Sequence, residues 1–192
     1  MPTNATTPLT KKNWVIQMSR CIGSYYAFKQ YAVMREVTLT LPKWAKTPTS
    51  PMPPHYKPGK YRLDIIAINR KFETVVIETK SCRSDFQQDN KWQAYLPLCH
   101  KFYFAADPKT AAYIADFLKA HEYARVGVIS VSSTPTYDLR HRVHIIKPAR
   151  TTPHCLDERE LLWRMAARGS GFDFVGQYFS GNTFEHREPL LG

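Results

Sequence analysis

The feature that most constrains this chain is a pair of apolar, β-branched runs, Tyr61-Arg62-Leu63-Asp64-Ile65-Ile66-Ala67-Ile68 and Thr74-Val75-Val76-Ile77-Glu78-Thr79-Lys80, separated by the polar stretch Asn69-Arg70-Lys71-Phe72-Glu73. Two such runs joined by a short turn predict a β-hairpin. Asp64 lies five residues before Asn69 and Glu78 five after Glu73, so strand pairing brings two carboxylates to a similar height on neighbouring strands. Alternation sets Glu78 and Lys80 on one face and Val75, Ile77 and Thr79 on the other. The hairpin therefore predicts two acids and a lysine gathered at a strand end.

The flanking sequence supplies the remaining elements. Residues 13–31 carry Trp14, Met18, Cys21, Ile22, Tyr25, Tyr26 and Phe28 near helical spacing, with Lys11, Lys12, Arg20 and Lys29 among them, which predicts a helix with a basic face. Residues 32–41 end in the alternating Val37-Thr38-Leu39-Thr40-Leu41, a half-buried strand. Residues 42–60 hold six prolines, no acid, and the lysines Lys43, Lys46, Lys57 and Lys60, so a long, basic, exposed loop is expected there. Ser84 followed by Gln87 has the form of a capping box, and residues 85–96 predict a helix stopped by Pro97. Strands are predicted over 101–106, 125–131 and 140–146, and helices over 109–120 and 157–168. No repeat and no second composition regime is present, so residues 11–170 form one mixed α/β domain, between an extension at 1–10 and an aromatic tail at 171–192.

Charge narrows the partners. The 192 residues carry 27 Lys and Arg against 16 Asp and Glu, a net +11, and within the first sixty residues Glu36 is the one acid. That asymmetry calls for a polyanion. No apolar run reaches membrane-spanning length, and the first residues lack an apolar signal core, so a cytoplasmic protein is expected, with no membrane partner. Cys21, Cys82, Cys99 and Cys155 form no C-x-x-C pair, which argues against a zinc ribbon or a disulfide framework. Cys82 is read as a small packed side chain, since no His stands near it in sequence. His141 and His144 with His154 only superficially suggest a metal site, because strand positions three apart face opposite ways. No glycine-rich phosphate loop is present, which disfavours P-loop chemistry.

Two close carboxylates repel unless a proton or cation intervenes, and hard oxygen ligands suit Mg²⁺ or Mn²⁺. Such an ion activates water and neutralises a phosphodiester, while the Lys80 amine positions the nucleophile or stabilises the developing oxyanion. The bland alternative is a solvated strand-end salt bridge. An acid, any residue and Lys is a weak pattern, expected about once by chance in a chain of this composition. It occurs three times, at Glu78-Thr79-Lys80, Asp89-Asn90-Lys91 and Asp107-Pro108-Lys109. Only the first sits on a strand paired with one bearing an inward Asp. In the helix expected next, Gln88, Lys91 or Trp92, and Tyr95 share a face. They contact a phosphate, orient water or stack on a base, unless the aromatics simply pack in the core.

The stretches Arg35-Glu36-Val37, Arg62-Leu63-Asp64-Ile65-Ile66-Ala67, Val76-Ile77-Glu78-Thr79-Lys80-Ser81, Asp89-Asn90-Lys91-Trp92 and Cys99-His100-Lys101-Phe102-Tyr103-Phe104-Ala105 resemble the MmcB-like DNA repair proteins, within the PD-(D/E)xK nuclease superfamily. The resemblance runs through most of residues 11–169. It implies a restriction-endonuclease-like core, a mixed sheet flanked by helices in the order αβββαβ. It also implies that Asp64 and Glu78 ligate Mg²⁺ or Mn²⁺, with the Thr79 carbonyl as a third ligand and Lys80 as the catalytic lysine. Many superfamily members add a Glu from the first helix, and here that helix has none. Glu36 on the following strand either replaces that ligand or pairs with a lysine.

DNA is the expected partner, held by the basic helix and the lysines of the proline-rich loop beside Asp64. The leading expectation is a metal-dependent deoxyribonuclease in DNA repair, recombination or mobile-element processing. Its rivals are a catalytically weakened nucleic-acid-binding module and a subunit that docks another protein through the aromatic tail.

Overall fold

A computed structural model describes residues 10–41, 57–152 and 161–162. Its elements run α1 (Lys11–Phe28), β1 (Ala32–Leu41), β2 (Gly59–Ile68), β3 (Thr74–Thr79), α2 (Arg83–Gln88), β4 (Lys101–Ala106), α3 (Pro108–Ala120), β5 (Val126–Val131) and β6 (Val143–Lys147), with 3-10 helices at Trp92–Leu98 and Leu139–Arg142. The six strands form one sheet in sequence order. β1, β2 and β3 are antiparallel neighbours, β3, β4 and β5 are parallel, and β6 returns antiparallel at the edge.

Both faces of the sheet are covered. Met18, Cys21, Ile22 and Tyr26 of α1 pack on Ile65, Ala67, Val75, Ile77 and Ile129. Phe86, Trp92, Leu98, Ile114 and Leu118 close the other face over Leu63, Ile66, Val76, Phe102 and Phe104. The parallel crossovers require this, because helices joining β3 to β4 and β4 to β5 must lie against the sheet. Leu161 is buried in the second layer. It is the inward member of the last predicted helix, whose residues other than 161 and 162 lie outside the described residues. The extension 1–9, the loop segment 42–56 with Lys43 and Lys46, and the tail 171–192 also lie outside them.

The predicted hairpin is present. Asn69 Oδ1 accepts from the N–H groups of Lys71 and Glu73 at 2.9 and 3.0 Å, an Asx turn that closes the loop. Four expectations need correction. Gly59 and Lys60 are not loop but the start of β2, paired with Leu41 and Thr40. The helix predicted over 85–96 is two elements, because Asp89 Oδ1 accepts the Lys91 N–H at 2.9 Å and ends α2 in a turn. Pro97 then sits inside the 3-10 helix rather than before a stop. The Ser84/Gln87 capping box is not used: α2 starts two residues earlier, with Cys82 as its cap, and Asp85 reaches back to the Ser81 N–H at 2.8 Å. The strand predicted at 140–146 starts only at Val143, after a 3-10 turn capped by Asp138.

Candidate active site

Side chains on β1 and β2 alternate between faces except at one level. The layer beneath α3 takes Met34, then Val37 and Leu39 from β1, and Leu63, then Ile66 and Ile68 from β2. The step of three falls on Glu36, whose φ is 51°, and on Asp64, its opposite position between the pairs Arg35↔Ile65 and Val37↔Leu63. A left-handed non-glycine residue inside a strand costs about 1–3 kcal/mol, and here it re-aims both strands where the site begins.

The β2–β3 ladder stops one pair short of this level, at Ile65↔Ile77. The next pair in register is Asp64 with Glu78. In place of a ladder bond, Asp64 Oδ2 accepts from the Thr79 N–H at 2.8 Å and the Thr79 hydroxyl at 2.6 Å. Asp64 and Glu78 both line one cavity of about 920 Å³. Lys57, Lys60, Arg62 and Lys91 line it too, all with exposed side chains. Tyr61, Tyr95 and Tyr123 add aromatic wall, and Asn90 and Gln93 add amides.

Lys80 lies behind this cavity rather than in it. Its side chain is 4 % exposed, with Nζ 2.6 Å from Asp89 Oδ2 and 3.4 Å from Glu78 Oε1. Glu78 and Asp89 thus share one ammonium, while Asp64 is held by Thr79. Burial first, and then the charge of Asp64, push the Glu78 carboxyl up to about 8, against the opposing pull of Lys80. Burial alone would lower the Lys80 ammonium, but Glu78 and Asp89 more than offset it and hold Lys80 above its ordinary value. Asp89 stands closer to the ammonium than Glu78 does, so the buried Glu78 carboxyl is the less compensated of the two. Glu78 Oε2 is buried without a hydrogen-bond partner.

An orphaned carboxylate oxygen beside a second carboxylate fits a hard divalent cation. Among the described residues, though, no group of three or more His, Cys, Asp or Glu side chains is gathered that could hold a metal. Asp64 and Glu78 are a pair, needing main-chain or solvent oxygens to complete a coordination sphere. Glu36 is exposed, in register with Asp64 on β1, and is not among the residues lining the cavity.

Of the other expected contacts, Lys57, Lys60, Lys91 and Tyr95 line the cavity, whereas Gln88 is exposed on α2 and does not. The turn at Asp89 explains this, since it breaks the helical face that Gln88 was to share with Tyr95. Trp92 is core, 3 % exposed and stacked on Phe102. The basic residues of α1 do not line the cavity, because that helix covers the opposite sheet face. Cys82 is not packed away: it is partly exposed, and contact with the Ser84 hydroxyl at 3.1 Å helps lower its thiol to about 7. Sequence reasoning missed Asp89 behind the cavity and, in its wall, Arg62, Tyr61, Tyr123, Asn90 and Gln93.

A six-stranded mixed sheet flanked by helices, with elements in the order αβββαβ, is the restriction-endonuclease-like core. The chain belongs to a family of that class, the MmcB-like DNA repair proteins, whose model matches residues 11–117. A solved structure of similar fold is the SPO1766 protein of unknown function from Silicibacter pomeroyi, with a TM-score of 0.55 and 20 % identity, covering 93 % of this chain and 98 % of that one. No curated protein matches the chain. Among the described residues no helix is long and apolar enough to cross a membrane.

Proposed function

We propose that this protein is a divalent-metal-dependent nuclease that hydrolyses DNA phosphodiester bonds, with Asp64 and Glu78 holding Mg²⁺ or Mn²⁺. The observation that carries the reading is the partnerless, buried Glu78 Oε2, set in register with Asp64 in a cavity surrounded by four exposed cations. The Thr79 carbonyl is the proposed third ligand. When bound, the ion would activate water and neutralise charge on the scissile phosphate. Lys57, Lys60, Arg62 and Lys91 bind the flanking phosphates, which gives salt-sensitive affinity without sequence readout. Lys80, fixed by Asp89, holds Glu78 Oε1 and leaves Oε2 for the ion. To reach a phosphate itself, its ammonium must first leave Asp89.

A second reading, a nucleic-acid-binding subunit with a weakened cleavage site, is favoured by the enclosed Lys80 and by the lack of a third clustered ligand among the described residues. Incubating the protein with single-stranded, duplex and branched DNA in Mg²⁺ or Mn²⁺ separates the two. Cleavage that Asp64→Asn abolishes while DNA binding survives supports the nuclease. Salt-sensitive binding with no cleavage in either metal supports the binding subunit.

A further inference from the structure

Four cations and two carboxylates account for a phosphate and an ion, but not for the rest of the cavity wall. Tyr61 is half-buried and held in place: its hydroxyl donates to the Lys57 carbonyl at 2.7 Å, and its ring meets Tyr95 edge-on at 5.8 Å. Tyr123 is also half-buried, fixed edge-on against Trp92 at 5.0 Å. Both rings line the same space as the carboxylates. Asn90 and Gln93 add amide donors and acceptors to it. Pinned aromatic rings, amides and lysines together are the chemistry that holds a nucleobase and its phosphate.

The shape points the same way. Glu78 is recessed, its side chain only 12 % exposed, while the four cations around it are exposed. A phosphate must therefore enter the cavity to reach the carboxylates. The volume of about 920 Å³ lies within the roughly 300–1,000 Å³ that encloses a ligand of nucleotide size. A duplex offers only the edges of its bases, in grooves, and keeps their faces stacked inside. It has nothing to lay against Tyr61 or Tyr123. An unpaired strand has free base faces and a backbone pliable enough to enter.

We infer that the cavity takes single-stranded DNA, with an unpaired base against Tyr61 and Tyr123 and the adjoining phosphates on Lys57, Lys60, Arg62 and Lys91. This rests on the reading that the cavity binds DNA, but not on cleavage or on a metal. The test is fluorescence anisotropy of a short labelled oligonucleotide in EDTA at low salt, as a single strand and as a blunt duplex of the same sequence. The single strand binds at least about tenfold tighter, the scale of one stacked base. Tyr61→Leu removes most of that preference, whereas Tyr61→Phe, which loses only the bond to Lys57, keeps it. Circular dichroism melts of both variants confirm that they fold. Equal affinity for the duplex overturns the inference, as does a preference that Tyr61→Leu leaves intact in a folded protein. Absence of binding to either form overturns the DNA reading as well. Loss of cleavage alone, with the binding preference preserved, overturns the nuclease and leaves this inference standing.

Discussion

Glu78 bears the electrostatic tension of the site, because Asp89 has taken the closer share of Lys80. With a carboxyl pushed up from 4.5 to about 8, the folded chain keeps a proton that the unfolded chain has already released. Its stabilising contribution is therefore complete below about pH 4.5 and is lost as pH rises towards 8. Melting temperatures of metal-free protein should fall across that window, and Glu78→Gln should flatten the decline. The Lys80–Asp89 pair is a second residue-scale commitment. Asp89→Asn should cost about 3 kcal/mol in urea melts, because it leaves a buried ammonium undercompensated. Pairing it with Lys80→Met should recover much of that loss. Asp89 itself was not legible in sequence: its partner lies nine residues away across a chain reversal, and its own triplet was one of the two set aside as chance. Asp64 and Glu78 were legible, because equal distances from a turn translate directly into register.

At the scale of elements, the strands were readable wherever β-branched runs were bounded by turn residues. β1 and β4 have their predicted limits. Reading failed where a local side chain overrode the period. The Asx turn at Asp89 splits one expected helix into α2 and a 3-10 helix, and that split puts Asn90 and Lys91 at the cavity. Hydrophobic spacing cannot show such a break, since Trp92 and Tyr95 remain buried either way. Close approach of elements is equally silent in sequence. A Cβ on Gly127 in β5 would stand 2.3 Å from Tyr103 Cε1 and 2.7 Å from the Ala149 backbone nitrogen. The backbone contact cannot be relieved by turning a side chain, so Gly127→Ala should destabilise by about 1–3 kcal/mol in denaturant titration.

For the whole molecule, the charge asymmetry of the first sixty residues was plain in the sequence and its placement legible in part: Lys57 and Lys60 line the cavity as expected, whereas the basic residues of α1 do not. The α1 cations cover the face opposite the cavity, and the described positive charge lining it comes instead from the start of β2 and the turn before Trp92. The sheet thus carries the site on one side only, at the level where β1 and β2 break their alternation and β2 parts from β3. The nuclease reading turns on whether the two carboxylates at that level hold a divalent ion. The direct measurement is Mn²⁺ binding by electron paramagnetic resonance, following loss of the free-ion signal at a pH above the Glu78 value of about 8. Wild-type protein is expected to bind Mn²⁺, with affinity falling as pH is lowered and binding lost in folded Asp64→Asn. Wild type that leaves the free-ion signal unchanged, or Asp64→Asn that binds as well as wild type, would contradict the account.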